Sequence, residues 1–333
     1  SILEHGQFPW WNPWMAGGMP LGPNPVVMLF SAATPLVLLF GVVPGLKLTL
    51  LLHFLIGFEG ARRLASRFID RPFFQIVVAV IFAWHGGQTT GGAVGQFGNM
   101  TIFYVPWLIY FALGLEGSWL NGLGLGVAEA LMLGTNLHYN SVYGLLFTHV
   151  IVAMQLVRRK EARRQIVVNW LIASSLALGL VGFRLWLSWR YFSDYPRENE
   201  LFIHVGWRTL MRMLMQPWQR PDMAPVIMRT QIGAGAGAEV VELPLPWWEV
   251  AAYVGVVPIV LFFVSLYKGV RWWHVFALLC LTFGFSSIAW WSPGTWLARL
   301  PVFRSMWMIT RWRFPAILFL GLAVGTLLQA WSR

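Results

Sequence analysis

The sequence predicts an all-α fold: a polytopic bundle of about nine membrane-spanning helices, forming one transmembrane domain over residues 1–333, with large loops on one side. Three observations lead there. Hydrophobic residues make up 57% of the chain and charged residues only 11%, with a mean hydropathy of +0.62; a soluble domain carries about 25% charged residues. The apolar residues recur as helix-length runs rather than as the short segments of one core. The Lys and Arg residues gather in short connections between alternate runs, the distribution that fixes orientation in a bilayer.

In chain order, the first feature is the loop GQFPWWNPWMAGGMPLGPNP, residues 6–25, in which nine of twenty residues are proline or glycine. No helix or strand interior accommodates that density. The loop is therefore turn-rich, and Pro9 and Pro13 stiffen the backbone around Trp10, Trp11, Asn12 and Trp14. Those rings suit an interfacial aromatic belt, and the same rings with the Asn12 amide suit a sugar or headgroup pocket. Val26–Pro44 is long enough to cross but contains Pro35 and joins the next run through Pro44-Gly45. We read it as a segment in or dipping into the interface, so that residues 1–45 are a first outer loop with an interfacial segment.

The runs that follow are Leu46–Ala65, Phe73–Trp84, Ile102–Leu115, Leu120–Leu137, Val142–Val157, Ile166–Trp189, Val250–Tyr267, Trp273–Trp291 and Phe314–Ala330. Phe73–Trp84 is short enough to be re-entrant. With nine alternating spans, Arg62, Arg63, Arg67 and Arg71, then Arg158 to Arg164, then Lys268 and Arg271, and finally Arg333, all fall on one face, expected to be cytoplasmic. The other face receives the first loop, His85–Thr101, the corner around His138, the long outer loop 190–249 and the late outer loop 292–313. Within 190–249, LMRMLMQPW has the pattern of an amphipathic interfacial helix, and GAGAGA reads as a lid or linker. The chain begins inside a loop and ends just after an apolar run, so it is expected to be a piece of a longer protein.

Composition and motifs also exclude. The formal charge of +11 lies in short clusters with no basic face or stripe, which argues against nucleic acid. A single cysteine, Cys280, forbids an intrachain disulfide. HExxH, paired CxxC, GxxxxGK[ST] and GxSxG are all missing from the sequence. No cofactor is identified, and a divalent metal has no sequence support.

The opening motif resembles the first outer loop of YfhO-like bacterial membrane proteins, in the GT-C superfamily of membrane-integral glycosyltransferases. Gly6, Pro9, Trp11, Asn12, Pro13, Gly18, Pro20, Asn24 and Pro25 carry that resemblance. PVFRSMWMITRWRFPAILFLGLAVG is similar to the family's late outer loop through Pro301, Phe303, Arg304, Arg311 and Phe314, and PWWEVAAYVGVVPIVL to its re-entry into the bilayer. The resemblance implies a GT-C-type bundle in the bacterial cytoplasmic (inner) membrane with its functional loops outside. It implies transfer of a sugar from a polyprenyl-phosphate carrier to an envelope glycan, lipid or protein. The family's catalytic acid would lie upstream of Ser1; Glu4 is nearby but at the wrong offset. The expected substrate-binding residues are Trp11, Asn12, Trp14, Asn24, His138, Arg304 and Arg311, the arginines toward phosphate. Bundle-mediated binding or translocation of a lipid-linked saccharide without catalysis is the alternative.

Glu129 stands apart. Nine residues before His138, it lies about 13 Å deeper along a continuous helix. An acid at that depth needs a partner or a proton. His53, His149 and Arg184 are possible partners.

Overall fold

The computed structural model describes residues 6–13, 18–137, 139–194, 202–203, 207–217, 227–232, 239–244, 251–284, 293–297, 300, 303 and 309–333. Its helices are α1 (Ala33–Phe40), α2 (Val42–Ser66), α3 (Pro72–Ala83), α4 (Gly86–Ala93), a 3-10 stretch (Phe97–Tyr104) continuing as α5 (Val105–Leu113), α6 (Trp119–Thr135), α7 (Tyr139–Arg158), α8 (Arg163–Asp194), α9 (Trp207–Met215), α10 (Val256–Lys268), α11 (Trp272–Gly284), α12 (Pro293–Leu297) and α13 (Arg313–Trp331). Each of the nine apolar runs overlaps one of them, with residues 250 and 285–291 of the runs outside the described residues. Among the described residues four helices, α2, α7, α8 and α13, are long and apolar enough to cross a membrane by length and composition. Pro72–Ala83, Phe97–Leu113, Val256–Lys268 and Trp272–Gly284 are shorter apolar helices.

Two regions carry detail beyond the sequence expectation. Val26–Pro44 does not form one rod: α1 has 8 residues, about 12 Å, too short to cross a ~30 Å hydrocarbon layer. Gly41 breaks it at φ +82°, and α2 folds back so that Gly45 meets the backbone of Leu36 and Val37. The region 190–249 is not plain loop. It holds the expected helix α9 and also a three-stranded antiparallel sheet, β3 (Phe202–Ile203), β4 (Ile227–Ile232) and β5 (Glu239–Pro244), in which Arg229 faces Glu242. GAGAGA itself lies outside the described residues. The fold is therefore nearly, not wholly, α. A further two-stranded ribbon pairs β1 (Trp11–Asn12) with β2 (Met19–Pro20) in the first loop.

The chain divides into two compact units: Ser1–Gly60 with Phe97–Pro196, and Ala61–Gln96 with Arg197–Arg333. In the first, α6 and α8 run parallel because glycines let their backbones touch. A Cβ on Gly122 would lie 2.6 Å from the Asn169 carbonyl oxygen, and one on Gly126 would lie 2.6 Å from that of Ala173. This is the small-xxx-small seam by which membrane helices gain close van der Waals contact. Three amides close the C-terminal end of α5. Gln155 Nε2 donates to Ala112 O at 2.5 Å, Asn121 Nδ2 to Gly114 O at 2.9 Å and Asn169 Nδ2 to Leu115 O at 2.8 Å. They satisfy carbonyls that a helix end leaves without intrahelical partners. At that same end, Arg159 pairs with Glu116 at 3.3 Å.

The second unit is built around α13, which is buried nearly all round by α3, α10 and α11. Its ladder against α3 is antiparallel. Phe314 meets His85, Gly321 and Gly325 meet Val78, and Gln329 meets Asp70. At the Gln329 end Arg333 pairs with Asp70, and Phe68 packs on Trp272 and Trp273. Arg67, Arg71, Lys268, Arg271 and Arg333 thus share one end of this unit, the grouping expected from the charge pattern.

Candidate functional site

The first loop owes its shape to its rings and glycines. Leu21 N donates to Trp10 O at 2.8 Å, which closes the ribbon. Gly18, at φ +117°, lies against the Trp11 indole, and Gly22 lies under that of Trp10, where a Cβ would sit 2.5 Å from the ring. A side chain at either glycine would push an indole off the loop. Asn24 folds the exit: its Oδ1 accepts from Val26 N at 3.0 Å and its Nδ2 reaches Met19 Sδ at 3.5 Å. Trp11 remains 56% exposed and Trp10 45%, and Asn12 between Trp11 and Pro13 is half-buried. Trp10 belongs to an aromatic patch with Phe8 at 4.7 Å, Phe183 at 6.2 Å and Phe30 at 6.3 Å.

What holds this loop is a residue the sequence gave a different role. Arg184 on α8 is buried, and its guanidinium donates to the carbonyls of Gly134, Val27 (2.6 Å) and Pro25 (3.3 Å). Its carbon lies 5.3 Å over the Phe30 ring. One turn on, Ser188 Oγ donates to Pro23 O at 2.8 Å, and Leu137 N donates to Pro25 O at 3.0 Å. The guanidinium fork is suited to such multiple acceptance. It ties the loop to the C-terminal end of α6, opposite the end that carries the Glu116–Arg159 pair.

Arg184 therefore does not serve Glu129, nor do the histidines. His53 Nδ1 is spent on Thr49 O at 2.8 Å and its Nε2 meets Tyr104 Oη at 3.2 Å; His149 Nδ1 is 2.7 Å from Leu145 O. Glu129 is buried in α6, on the stripe that includes Gly122 and Gly126. Among the described residues its Oε1 has no hydrogen-bond partner.

The corner after α6 is polar and closed. Asn136, Asn140 and Ser141 are buried; Ser141 Oγ donates to Asn136 O at 2.5 Å, and Asn140 Nδ2 to Asn99 O at 3.3 Å. His138 lies outside the described residues, as do Glu4, Trp14 and Arg304.

In the second unit, Arg311 is half-buried in a 3-10 turn leading into α13. Beside it Trp312 is buried against Phe283 at 5.0 Å and Phe303 at 6.3 Å. Arg313 is buried, and its Nε donates to Ala251 O at 2.8 Å. A Ser265–His274 pair at 2.9 Å has the wrong polarity for nucleophilic catalysis. His274 Nδ1 accepts from Arg271 N at 2.9 Å, so Nε2 carries the proton and donates to Ser265. Among the described residues no three His, Cys, Asp or Glu side chains converge as a metal site.

The sequence passed over two signals that it did contain. Gly122-x3-Gly126 announces the α6–α8 seam, and Arg184, 21 residues into a 32-residue apolar helix (Arg163–Asp194), was an intramembrane charge whose acceptors were backbone rather than carboxylate. Comparison with protein-family models, with curated proteins and with solved structures returned no match.

Proposed function

We propose that this chain is a multi-pass bacterial inner-membrane glycosyltransferase of GT-C type, taking a sugar from a polyprenyl-phosphate carrier to an envelope acceptor on the extracytoplasmic side. On this reading the nine apolar helices are its spans and the basic ends of both units face the cytoplasm. The observation that carries it is the seating of the first loop: Arg184 fixes the backbone from below, while Trp10 and Trp11 keep exposed faces beside Asn12. A saccharide ring is recognised by flat apolar faces and amide hydrogen bonds held in advance of binding. Arg304 and Arg311 are assigned to the carrier phosphate.

One observation favours the non-catalytic alternative, a binder or translocator of lipid-linked saccharide. The carboxylate on the helix beneath the loop, Glu129, is buried, whereas a general base must touch the acceptor hydroxyl.

Purified protein in nanodiscs, given polyprenyl-phosphate donors with a radiolabelled sugar and an envelope extract as acceptor, tests the two. Label appearing on acceptor, and reduced far more by Trp11→Ala or Asn12→Ala than by Trp331→Ala, supports transfer. Saturable donor binding without transfer leaves the binder. Neither binding nor transfer ends both readings.

A further inference from the structure

One end of the second unit carries more positive charge than its own carboxylates match. Arg67 and Arg71 lie in the corner between α2 and α3, Lys268 and Arg271 bound the turn between α10 and α11, and Arg333 follows α13. Asp70 is the acid among them, and it is already engaged by Arg333 and, at 3.4 Å, by Gln329 Nε2. Arg71, Lys268 and Arg271 are exposed, and among the described residues none of the three has an ion-pair partner. The buried Trp273 Nε1 at the same end is also a donor without an acceptor among the described residues. What this end lacks is negative charge.

The cations stand on backbone that is already fixed. Phe68, between Arg67 and Arg71, packs on Trp272 at 5.9 Å and on Trp273 at 5.1 Å, so the corner and the turn meet across an aromatic wedge. Gln329 Oε1 accepts from Arg71 N at 3.1 Å. In the turn, Gly269 N donates to Ser265 O at 3.2 Å and Arg271 N to His274 Nδ1 at 2.9 Å, while Arg271 O accepts from His274 N at 3.0 Å. The Arg271 guanidinium lies 5.2 Å over the Trp273 ring, a contact that uses its face and leaves its N–H edge for an acceptor. An anion docking here orders little of the chain.

The neighbours of these cations choose the occupant. Next to them in the chain, Tyr267 is 91% exposed, and Phe73, Val270 and Trp331 are exposed as well. A nucleic acid or an acidic protein would cover the charges and leave those apolar groups against water. An anionic lipid covers both, with phosphate on the cations and acyl chains along the aromatic groups, which collect at headgroup depth. We propose that this end of the second unit, through Arg71, Lys268 and Arg271, is a docking surface for the headgroup of an anionic phospholipid. It lies at the end of α13 opposite Arg311. The inference rests on the apolar helices being membrane spans and involves neither the sugar carrier nor the loop at Trp10 and Trp11.

The test is native mass spectrometry of the purified chain in neutral detergent, titrated with dioleoylphosphatidylglycerol or with dioleoylphosphatidylcholine, which share acyl chains and differ in net charge. The wild type should bind the phosphatidylglycerol at least about tenfold more tightly, since each cation near an anionic headgroup contributes about fivefold. Added salt should narrow that gap. The triple variant Arg71→Gln, Lys268→Gln, Arg271→Gln should bind the two lipids alike, and Arg71→Lys with Arg271→Lys should keep most of the preference. Arg158→Gln with Lys160→Gln, in the basic connection of the first unit, should leave it unchanged. Melting temperatures show which variants fold; Lys268→Gln alone, in the exposed turn, should lower the preference about fivefold even where the triple variant fails to fold. Equal affinity for the two lipids in the wild type, a preference that survives these substitutions, or an equal loss in the first-unit variant overturns the surface. Displacement of the lipid by excess glycerol 3-phosphate overturns it too, because a free anion would then suffice. No sugar donor is present in this titration, so its failure leaves the transfer reading standing, and failed transfer leaves the lipid surface standing.

Discussion

Arg184 Nη2 stands 2.6 Å from the carbonyl oxygen of Val27, so a buried side chain of α8 grips a loop 157 residues earlier in the chain. A buried cation is costly unless its donors are matched, and here Nη1 and Nη2 are matched by main-chain carbonyls of the loop and of Gly134, while among the described residues Nε has no hydrogen-bond partner. Arg184→Met removes the donors and strands those acceptors. Stability should fall by about 3–5 kcal/mol, and chymotrypsin should cut after Trp10 or Trp11 faster than in the wild type. Arg184→Lys, with a charge but no fork, should restore part of the loss. Unchanged cleavage in Arg184→Met would mean the loop is held by something else.

The glycines of α6 and α8 make an internally controlled comparison. Gly126 leaves no space for a side chain against Ala173, whereas Gly179 and Gly182 face open space. Gly126→Leu should abolish recovery of folded protein, because the two backbones must part. Gly179→Ala and Gly182→Ala should be neutral or stabilising by up to about 1 kcal/mol, from helix propensity alone. Thermal unfolding of detergent-solubilised protein distinguishes the cases.

His85 predicts a pH profile. Burial, and then the Arg313 charge, hold its folded pKa at about 3, below the ordinary 6.5, so between those values the unfolded chain binds the extra proton. Stability is then full above pH 6.5 and falls as pH drops toward 3, by at most about 1.4 kcal/mol per unit. Melting temperatures from pH 8 to pH 4.5 should fall only below about pH 6.5 for this group, and His85→Phe should remove that part of the slope. An identical profile in the variant would show that His85 does not titrate as its burial demands.

Gln329 supplies what the start of α3 lacks. Arg71 gives that helix no side-chain cap; instead Gln329 Oε1 accepts from Asp70 N at 2.6 Å and from Arg71 N at 3.1 Å. Gln329→Met should cost about 1–3 kcal/mol through unsatisfied donors. Asp70→Asn, which removes the charge from an exposed ion pair with Arg333 and from the 3.4 Å contact made by Gln329 Nε2, should stay within about 1 kcal/mol. Equal losses in the two variants would contradict the capping role.

Much of this architecture was written in local patterns. A run such as Ile166–Trp189 is helical and apolar by composition, and α8 contains it; Pro35, Pro44 and Gly45 argued against Val26–Pro44 crossing as a single rod, and α1 is too short to cross. The β3–β4–β5 sheet was not legible in the same way. IMRTQI and EVVELP are ordinary short strands, but GAGAGA drew attention to the linker and away from what it joins. Arg184 stood out as a charge in an apolar run, but its role, like that of His85, was not legible, and for a different reason. Each derives its meaning from partners contributed by distant segments, Val27 and Gly134 in one case, Arg313 and Phe314 in the other, and a spacing rule along the chain carries no such information.

The burial of α13 bears on how the second unit is made. The helices that enclose it, α3, α10 and α11, all leave the ribosome first. Until α13 arrives they can offer only an unfilled trench to the surrounding lipid, with Val78 facing the bilayer instead of Gly321 and Gly325. Completion of this packing is then the insertion of a central peg into a waiting socket, and a substitution that bulks up Gly325, where a Cβ would lie 2.5 Å from the Val78 side chain, would stall that step.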